Sequence, residues 1–352
     1  MLPGQHRWEQ HLKCAAESRD LFADYGVATT YMAHHIATHV VPHTAESMWS
    51  GHFFPATESL AEAEVSYTLA LSGYYKQSMA SLRSSLELGL LSVYWNLSDD
   101  GHLVIKRWLH SRQDTPRPKE IWERLAAHKG IATFSHALDV RGRIQNLFGE
   151  LSNYVHSRGR LYSNDHFEPE QPFISCRPSA GMIQLWAQTY REVVWLILAL
   201  HLAKYPIGTV RGDWNDKFGI DVPMFGGLSE AEIDRAEVFL GREAFAALHQ
   251  AAETDPHTLE LLAWINSLPS KTEEEVEQQI LEMDKSNIQH GGGFEAWEVQ
   301  ERRLNAAAYP DGVPERVEER IAALRKWAVE NDCLESPSNL MEHVQRNDEP
   351  CA

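Results

Sequence analysis

An arginine and a glutamate one helical turn apart are the first residues whose types and spacing suggest chemistry. Arg83 and Glu87 lie in the segment SLRSSLELGLL. At positions i and i+4 of a helix they share one face and form an ion pair. Such a pair is typical of a half-buried structural contact at the edge of a core. If another segment supplied an acid–base group, the guanidinium would instead stabilise charge on a reacting phosphate.

A second segment, GELSNYVHSRG over residues 149–159, carries that kind of group. His156 lies near the end of a predicted helix, where the helix dipole raises the proton affinity of an imidazole. Asn153 lies one turn earlier and would orient a substrate or the imidazole ring. A histidine that only caps the last carbonyls, followed by a C-terminal Gly159, is the structural alternative.

Together the two segments resemble uncharacterised bacterial all-α proteins of the HEPN-like and abortive-infection types. The resemblance covers about residues 60–160 and rests on LRSSLEL and, some seventy residues later, FGELSNYVHSRG. It implies an α-helical bundle, commonly dimeric, and in active members a metal-independent endoribonuclease. In those members an arginine precedes the histidine by four to six intervening residues. Gly149, Glu150 and Leu151 occupy these positions before His156, so the motif is not present there.

A ribonuclease site in this chain would therefore need Arg83 from the neighbouring helix. In that arrangement His156 acts as general base or acid, Arg83 stabilises the phosphorane charge and Glu87 holds Arg83 in place. This hypothesis predicts that the Arg83 and His156 side chains face one another.

Histidines spaced at helical intervals form a third group. His35 and His39 would share a helical face and could hold a zinc ion, with His43 one turn further on. Pro42 opposes this arrangement, because it lacks a backbone donor and disfavours helix at Val41. A histidine-rich helix end without metal is the default interpretation, and no cofactor is expected.

Charge is distributed very unevenly. The chain has 50 acidic and 32 basic residues and a net charge of −18, which argues against general capture of DNA or anionic lipid. Residues 1–220 hold 21 Lys and Arg against 22 Asp and Glu, whereas residues 221–352 hold 11 against 28. The contrast predicts an N-terminal helical bundle over 1–204, a Gly- and Pro-containing linker over 205–227 and an acidic helical domain or extension over 228–352.

Apolar residues recur at spacings of three and four through most long segments, which predicts an all-α fold. No alternating β-branched run with turn signals is present. The expected helices are Ser59–Leu97, Ile131–Ser157, Ala180–Lys204, Ser229–His249, which starts with a capping box, and Glu315–Asn331. A glycine run after His290 is expected to separate two C-terminal helices.

The sequence also suggests a reducing, cytoplasmic compartment. Its longest apolar run, Val193–Ala203, is interrupted by His201 and is too short to cross a bilayer. The N-terminus shows no apolar signal core. The cysteines are scattered without a CxxC pair, at Cys14, Cys176, Cys333 and Cys351.

Two functions from different classes are compatible with these residues. The first is a non-catalytic or weakly catalytic helical component of a bacterial stress or phage-defence system, acting as adaptor or sensor. It would form a homodimer through residues 1–220, and its acidic C-terminal part would dock a basic protein partner. The alternative is a HEPN-like metal-independent endoribonuclease that uses His156 and Arg83 and meets RNA through its N-terminal part.

Overall fold

A computed structural model describes residues 5–44, 53–97, 101–156, 158–163, 176–212, 214–219, 228–310 and 312–335. Every regular element in these ranges is helical, which confirms the predicted all-α fold class. The helices are α1 (Gln5–Tyr25), α2 (Val27–His35), α3 (Val41–Thr44), α4 (Phe53–Leu71), α5 (Tyr75–Trp95), α6 (Gly101–Leu109), α7 (Pro118–Ala127), α8 (Lys129–Leu138), α9 (Val140–Val155), α10 (Ala180–Lys204), α11 (Asn215–Phe218), α12 (Glu230–Leu240), α13 (Arg242–Thr254), α14 (Pro256–Ser267), α15 (Glu273–His290), α16 (Phe294–Ala308) and α17 (Glu315–Glu330).

The predicted single helix Ser59–Leu97 is wrong, because the chain reverses at Gly73 and forms the α4–α5 hairpin. Gly73 has a φ of 78°, and Tyr74 N donates to Leu69 O at 2.9 Å to close the turn. Small buried serines allow the two helices to approach closely. Ser66 Oγ, for example, donates to Ser78 O at 2.8 Å.

The predicted helix Ile131–Ser157 is also divided in two, at Asp139. This residue adopts a left-handed conformation with a φ of 46°, and its carboxylate accepts from Gly142 N at 3.1 Å. The side chain therefore caps the start of α9 and ends α8 at the same point. Apolar periodicity continues on both sides of the break, which is why the sequence pattern suggested one helix.

Helix α10 lies at the centre of the bundle, and its predicted bounds Ala180–Lys204 are confirmed. Its side chains are buried almost all round, as expected for a helix with apolar residues on every face. It packs against α5, α2, α1 and α8. Even so, none of the helices in the described ranges combines the length and apolar character needed to cross a membrane.

In the second half of the chain, the predicted capping box is present at the start of α12. Ser229 N donates to Glu232 Oε2 at 2.8 Å, and Glu232 N donates to Ser229 Oγ at 3.4 Å. The predicted helix Ser229–His249 is interrupted at Gly241, between α12 and α13. The glycine break after His290 and the C-terminal helix α17 match the expectation.

The described chain contains two compact units, which divide the sequence differently from the predicted linker at 205–227. Unit 1 comprises residues 1–212 and 223–264, and unit 2 comprises residues 213–222 and 265–352. Helices α12 and α13 therefore belong to unit 1 although they follow the proposed linker. The physical reason is burial: Phe239, Phe245 and Leu248 join the same apolar core as α10.

Unit 2 has a small apolar core of its own, formed by α15, α16 and α17. Ile288, Phe294, Ile321, Leu324 and Ala328 are among its buried apolar residues. The first segment of unit 2, residues 213–222, is joined to the second segment by a backbone hydrogen bond. In this bond Lys271 N donates to Asp216 O at 2.7 Å.

Candidate functional site

The ion pair predicted on α5 is present. Arg83 Nη1 lies 2.5 Å from Glu87 Oε2, with 18 % and 31 % of the two side chains exposed. The Arg83 guanidinium also lies 4.1 Å from the centroid of the Phe148 ring on α9. The contact joins α5 to α9, which were expected to be neighbours. It gives Arg83 both an ionic and an aromatic partner, as in a structural pair at the edge of the core.

His156 lies just beyond α9 and is exposed. Its backbone N donates to Ser152 O at 2.9 Å, and the neighbouring Arg158 N donates to Asn153 O at 3.0 Å. Phe148, whose ring contacts the Arg83 guanidinium, precedes His156 by two helical turns, or about 12 Å along the helix axis. Within the described ranges, no hydrogen bond or ion pair joins Arg83 or Glu87 to Asn153 or His156. A shared catalytic site for these four residues remains a prediction.

Of the three histidines predicted to cluster near the end of α2, the structure shows two, His35 and His39, close together. The His35 and His39 rings lie 4.8 Å apart between centroids, as their spacing predicted. Helix continues past Pro42, because a wider π turn over Ile36–Val40 accommodates the missing donor. The side chain of His43 lies outside the described residues. Among those described, no three His, Cys, Asp or Glu side chains converge as metal ligands would.

A different site, which the sequence analysis did not single out, lies entirely within unit 1. It is a cleft of about 340 Å³ that we call the arginine cleft. Its lining comprises Leu138, Arg143, Arg191, Glu192, Trp195, Leu240, Gly241, Arg242, Glu243 and Ala244.

One wall of the arginine cleft is a fixed Arg–Glu pair. Arg143 Nε and Nη2 each donate to a carboxylate oxygen of Glu192 at 2.7 Å. The same guanidinium lies 3.5 Å from the centroid of the Trp195 ring. Trp195 is in turn held by its Nε1, which donates to Leu240 O at 3.0 Å. These contacts fix α9, α10 and the end of α12 at the site.

Another part of the lining is the N-terminus of α13. Gly241 precedes this helix with a φ of 87°, and no side chain caps it. The first intrahelical bond is donated by Phe245 N to Gly241 O. The amides of Arg242, Glu243 and Ala244 therefore have no acceptor within the helix, and all three residues line the cleft. An uncapped helix start of this kind carries a partial positive charge.

The charges of the arginine cleft favour an anionic ligand. Three arginines line it against two glutamates, and the carboxylate of Glu192 is already bound by Arg143. Arg191 and Arg242 are exposed, so their guanidinium groups are accessible to a solute. Planar guanidinium groups and helix-start amides are the donors that proteins use most often for phosphate and carboxylate.

A second basic surface lies at the end of α6. Lys106, Arg107, His110 and Arg112 line a cavity of about 370 Å³, and all four residues are exposed. We call this group the α6 basic segment.

The sequence could not have identified the arginine cleft by motif. Its residues come from α8, α9, α10, α12 and α13, and no two of the arginines share a motif. Only the Leu-Gly-Arg-Glu break between α12 and α13 carried a signal, since a glycine there ends one helix and starts the next.

Comparison of the chain with protein-family models, curated proteins and solved structures finds no match.

Proposed function

We propose that the protein is a non-catalytic helical sensor that binds a compact phosphate-bearing molecule in the arginine cleft. The observation that carries the proposal is the convergence of an uncapped helix start with Arg191 and Arg242 in one cavity. This convergence supports the sensor function that the sequence suggested, and it leads us to propose a site and a class of ligand for it.

The size and lining of the arginine cleft limit the class of ligand that it can bind. A volume of about 340 Å³ is at the small end of the range for small-molecule sites. Trp195 offers little surface to a nucleobase, because the residue is only 6 % exposed and the Arg143 guanidinium lies over its ring. Recognition therefore depends on the phosphate group, as in a sugar phosphate, rather than on base stacking.

The same lining supports a binding function over a catalytic one. The described cleft residues include no histidine, cysteine, serine or tyrosine. The carboxylate of Glu192 is held by two hydrogen bonds from Arg143, which disfavours its use as a general base.

The test is calorimetric titration of the full chain with a sugar phosphate and with the matching unphosphorylated sugar. We expect only the phosphate to bind, and replacement of Arg191 and Arg242 by alanine to weaken binding at least about tenfold. Arg141→Ala is the matched control, because Arg141 is exposed on α9 but does not line the cleft. Equal affinity for both sugars, or unchanged affinity in the double variant, would contradict the proposal.

RNA cleavage by the N-terminal part is a second candidate function, and the α6 basic segment favours it. The exposed Lys106, Arg107 and Arg112 offer phosphate contacts on an otherwise near-neutral part of the chain. The test is expression of wild type and His156→Ala in bacteria, followed by comparison of growth and total RNA integrity. RNA loss in wild type alone supports a nuclease, whereas intact RNA in both favours the sensor.

Exposed apolar side chains on α1 and α2 suggest that two copies of the chain associate. Trp8, Leu12 and Tyr31 on α1 and α2 are 65 %, 54 % and 72 % exposed. We propose that they contribute to a homodimer formed by the N-terminal part, in a cytoplasmic stress or defence system, while the acidic C-terminal part docks a basic partner. Light scattering at micromolar concentration should show a dimer that Trp8→Ser weakens. A monomeric wild type would contradict it.

A further inference from the structure

Two cysteines that are far apart in the sequence meet in unit 1. Cys14 lies on α1, and Cys176 lies in the segment that leads into α10. Cys176 Sγ lies 3.9 Å from the backbone oxygen of His11, one helical turn before Cys14, so Cys176 packs against the part of α1 that carries Cys14. Both are free thiols, with Cys176 buried and Cys14 half-buried. Solvent therefore reaches the pair from the Cys14 side.

The backbone next to Cys176 is held firmly against the α4–α5 turn. Arg177 N donates to Gly73 O at 3.0 Å, and Ser179 N donates to the Tyr75 hydroxyl at 3.1 Å. A side chain at Gly73 would lie 3.1 Å from the Arg177 backbone, so this close approach requires glycine. These contacts fix the position of Cys176 beside α1.

A histidine and a tyrosine complete the cluster. His11 Nδ1 lies 3.3 Å from Cys176 Sγ and 3.0 Å from the Tyr74 hydroxyl. His11 is three residues before Cys14 on α1, so both side chains lie on the same helical face. An imidazole nitrogen therefore contacts the buried thiol at the place where a proton would have to leave.

Ionisation of the buried Cys176 thiol is unfavourable. Burial raises the pKa of the Cys176 thiol to about 12, so this group is protonated near neutral pH. An adjacent base is therefore needed for Cys176 to act as a nucleophile. The more accessible Cys14 is the group that an external oxidant meets first.

We propose that Cys14 and Cys176 form a peroxide-oxidisable thiol pair that closes into a reversible disulfide. The Cys14 thiolate attacks one oxygen of hydrogen peroxide, which breaks the O–O bond and gives a sulfenic acid and, after protonation of the departing hydroxide, water. Cys176 then transfers its proton to His11 while its sulfur attacks the Cys14 sulfur, and a second water leaves. Overall, two thiols lose two protons and two electrons, and one peroxide is reduced to two water molecules.

The geometry is suited to this step. Disulfide closure requires the two sulfurs to approach to the S–S bond length of about 2.0 Å. The Cys14 side chain on α1 has to make this approach, because the backbone next to Cys176 is held by its contacts with Gly73 and Tyr75. The resulting bond would tie α1 to the start of α10.

The test treats the full chain with hydrogen peroxide, blocks free thiols with iodoacetamide and measures the intact mass and tryptic peptides. We expect loss of two hydrogens, protection of two thiols and a Cys14–Cys176 linked peptide, all reversed by dithiothreitol. Oxidation should also raise the thermal midpoint by about 5 °C or more, because the bond closes a long loop. Cys14→Ser and Cys176→Ala should each abolish the linked peptide, and Cys333→Ser should leave it unchanged.

A further variant separates the role of His11 from simple proximity. His11→Gln should slow disulfide closure about tenfold near neutral pH, with a smaller deficit as the pH rises and the thiol ionises without help. The proposal is overturned if both cysteines remain alkylated after peroxide, if Cys14 proceeds to a sulfinic acid while Cys176 stays free, or if another cysteine supplies the bond.

Discussion

The Arg143 guanidinium lies over the face of Trp195 while its edge is bound to Glu192 by two hydrogen bonds of 2.7 Å. Arg83 repeats this arrangement at another point of α9, with Phe148 beneath the guanidinium and Glu87 as the carboxylate partner. In both cases an arginine is neutralised by a glutamate and shielded by a ring. The contact between α9 and α10 and the contact between α5 and α9 are therefore each made by an arginine whose side chain has little conformational freedom.

Replacement of Arg143 by lysine should lower the free energy of unfolding by about 1–2 kcal/mol. A lysine cannot make the two parallel hydrogen bonds to Glu192, and its ammonium stacks less well on Trp195. Urea denaturation measures the effect. Arg141→Lys is the control and should change stability by less than about 0.5 kcal/mol. A similar loss in both variants would show that the contacts around Arg143 add nothing.

Gly241→Ala should destabilise the protein by about 1–3 kcal/mol, because a φ of 87° with a ψ of 156° is strained for any residue with a side chain. No atom lies within 4 Å of the added Cβ, so the cost comes from the backbone rather than from a clash. Binding of phosphate in the arginine cleft should weaken as well.

Gly149 provides the matched control for this substitution. It lies inside α9 with a helical backbone, and its Cβ would also meet no atom within 4 Å. Gly149→Ala should therefore stabilise the protein by about 0.5–1 kcal/mol. Thermal and urea unfolding of both variants should give opposite signs, and equal signs would refute this account.

His35 should make stability decrease at mildly acidic pH. Burial, followed by the charges of Arg235 and His39, lowers its pKa from the ordinary value of 6.5, with Glu232 acting in the opposite direction. The folded state then binds a proton less readily than the unfolded chain. Its contribution to stability is therefore fully present above pH 6.5 and is lost as the pH falls through the lowered pKa.

His35→Gln removes this titration and should reduce the difference in stability between pH 7.5 and pH 5.5, about one pH unit on either side of an ordinary histidine pKa. Urea denaturation at the two values provides the measurement. His136→Gln, on α8, serves as the comparison substitution. An unchanged difference in the His35 variant would show that another group causes the pH dependence.

Unit 2 should depend strongly on Arg320. This guanidinium binds Glu301 and lies 3.5 Å from Asp284 Oδ2, and the two acidic side chains are only 16 % and 10 % exposed. Burial raises the pKa of Asp284, while Arg320 opposes that shift. Arg320→Met leaves two buried carboxylates without their cation and should lower the free energy of unfolding of unit 2 by about 2–4 kcal/mol.

Lys326→Met on the same helix is the control. Its Nζ lies 4.0 Å from Glu330 Oε1, and both side chains are largely exposed. Exposed pairs at this spacing contribute little, so stability should change by less than about 0.5 kcal/mol. Comparable effects of the two methionine substitutions in denaturant unfolding would contradict the buried-network interpretation.

Local patterns predicted the helices whose signals lie in a few consecutive residues. The bounds of α10 followed from apolar residues on every face, and the start of α12 followed from the Ser229–Glu232 capping box. The turns at Gly73 and Asp139 were missed because periodicity persists across each of them. Backbone conformation at a single residue, not side-chain spacing, ends those helices.

Tertiary packing determined what the sequence could not show. The acidic composition after residue 220 suggested a separate domain, yet Phe245 and Leu248 bury into the core around α10. The Arg83–Glu87 pair was predictable from an i, i+4 spacing within one helix. The pairing of Arg143 with Glu192 was not, because it depends on how α9 lies against α10.

The order of the two units along the chain has a consequence for synthesis on the ribosome. Residues 213–222 emerge before α12 and α13, but their partner Lys271 emerges only afterwards. Unit 1 cannot bury Phe245 and Leu248 until the nascent chain has passed this early piece of unit 2. Neither unit can complete its fold until the ribosome has translated residues that follow a segment of the other unit. If translation stalled near residue 240, both units would therefore be incompletely folded and accessible to chaperones and proteases.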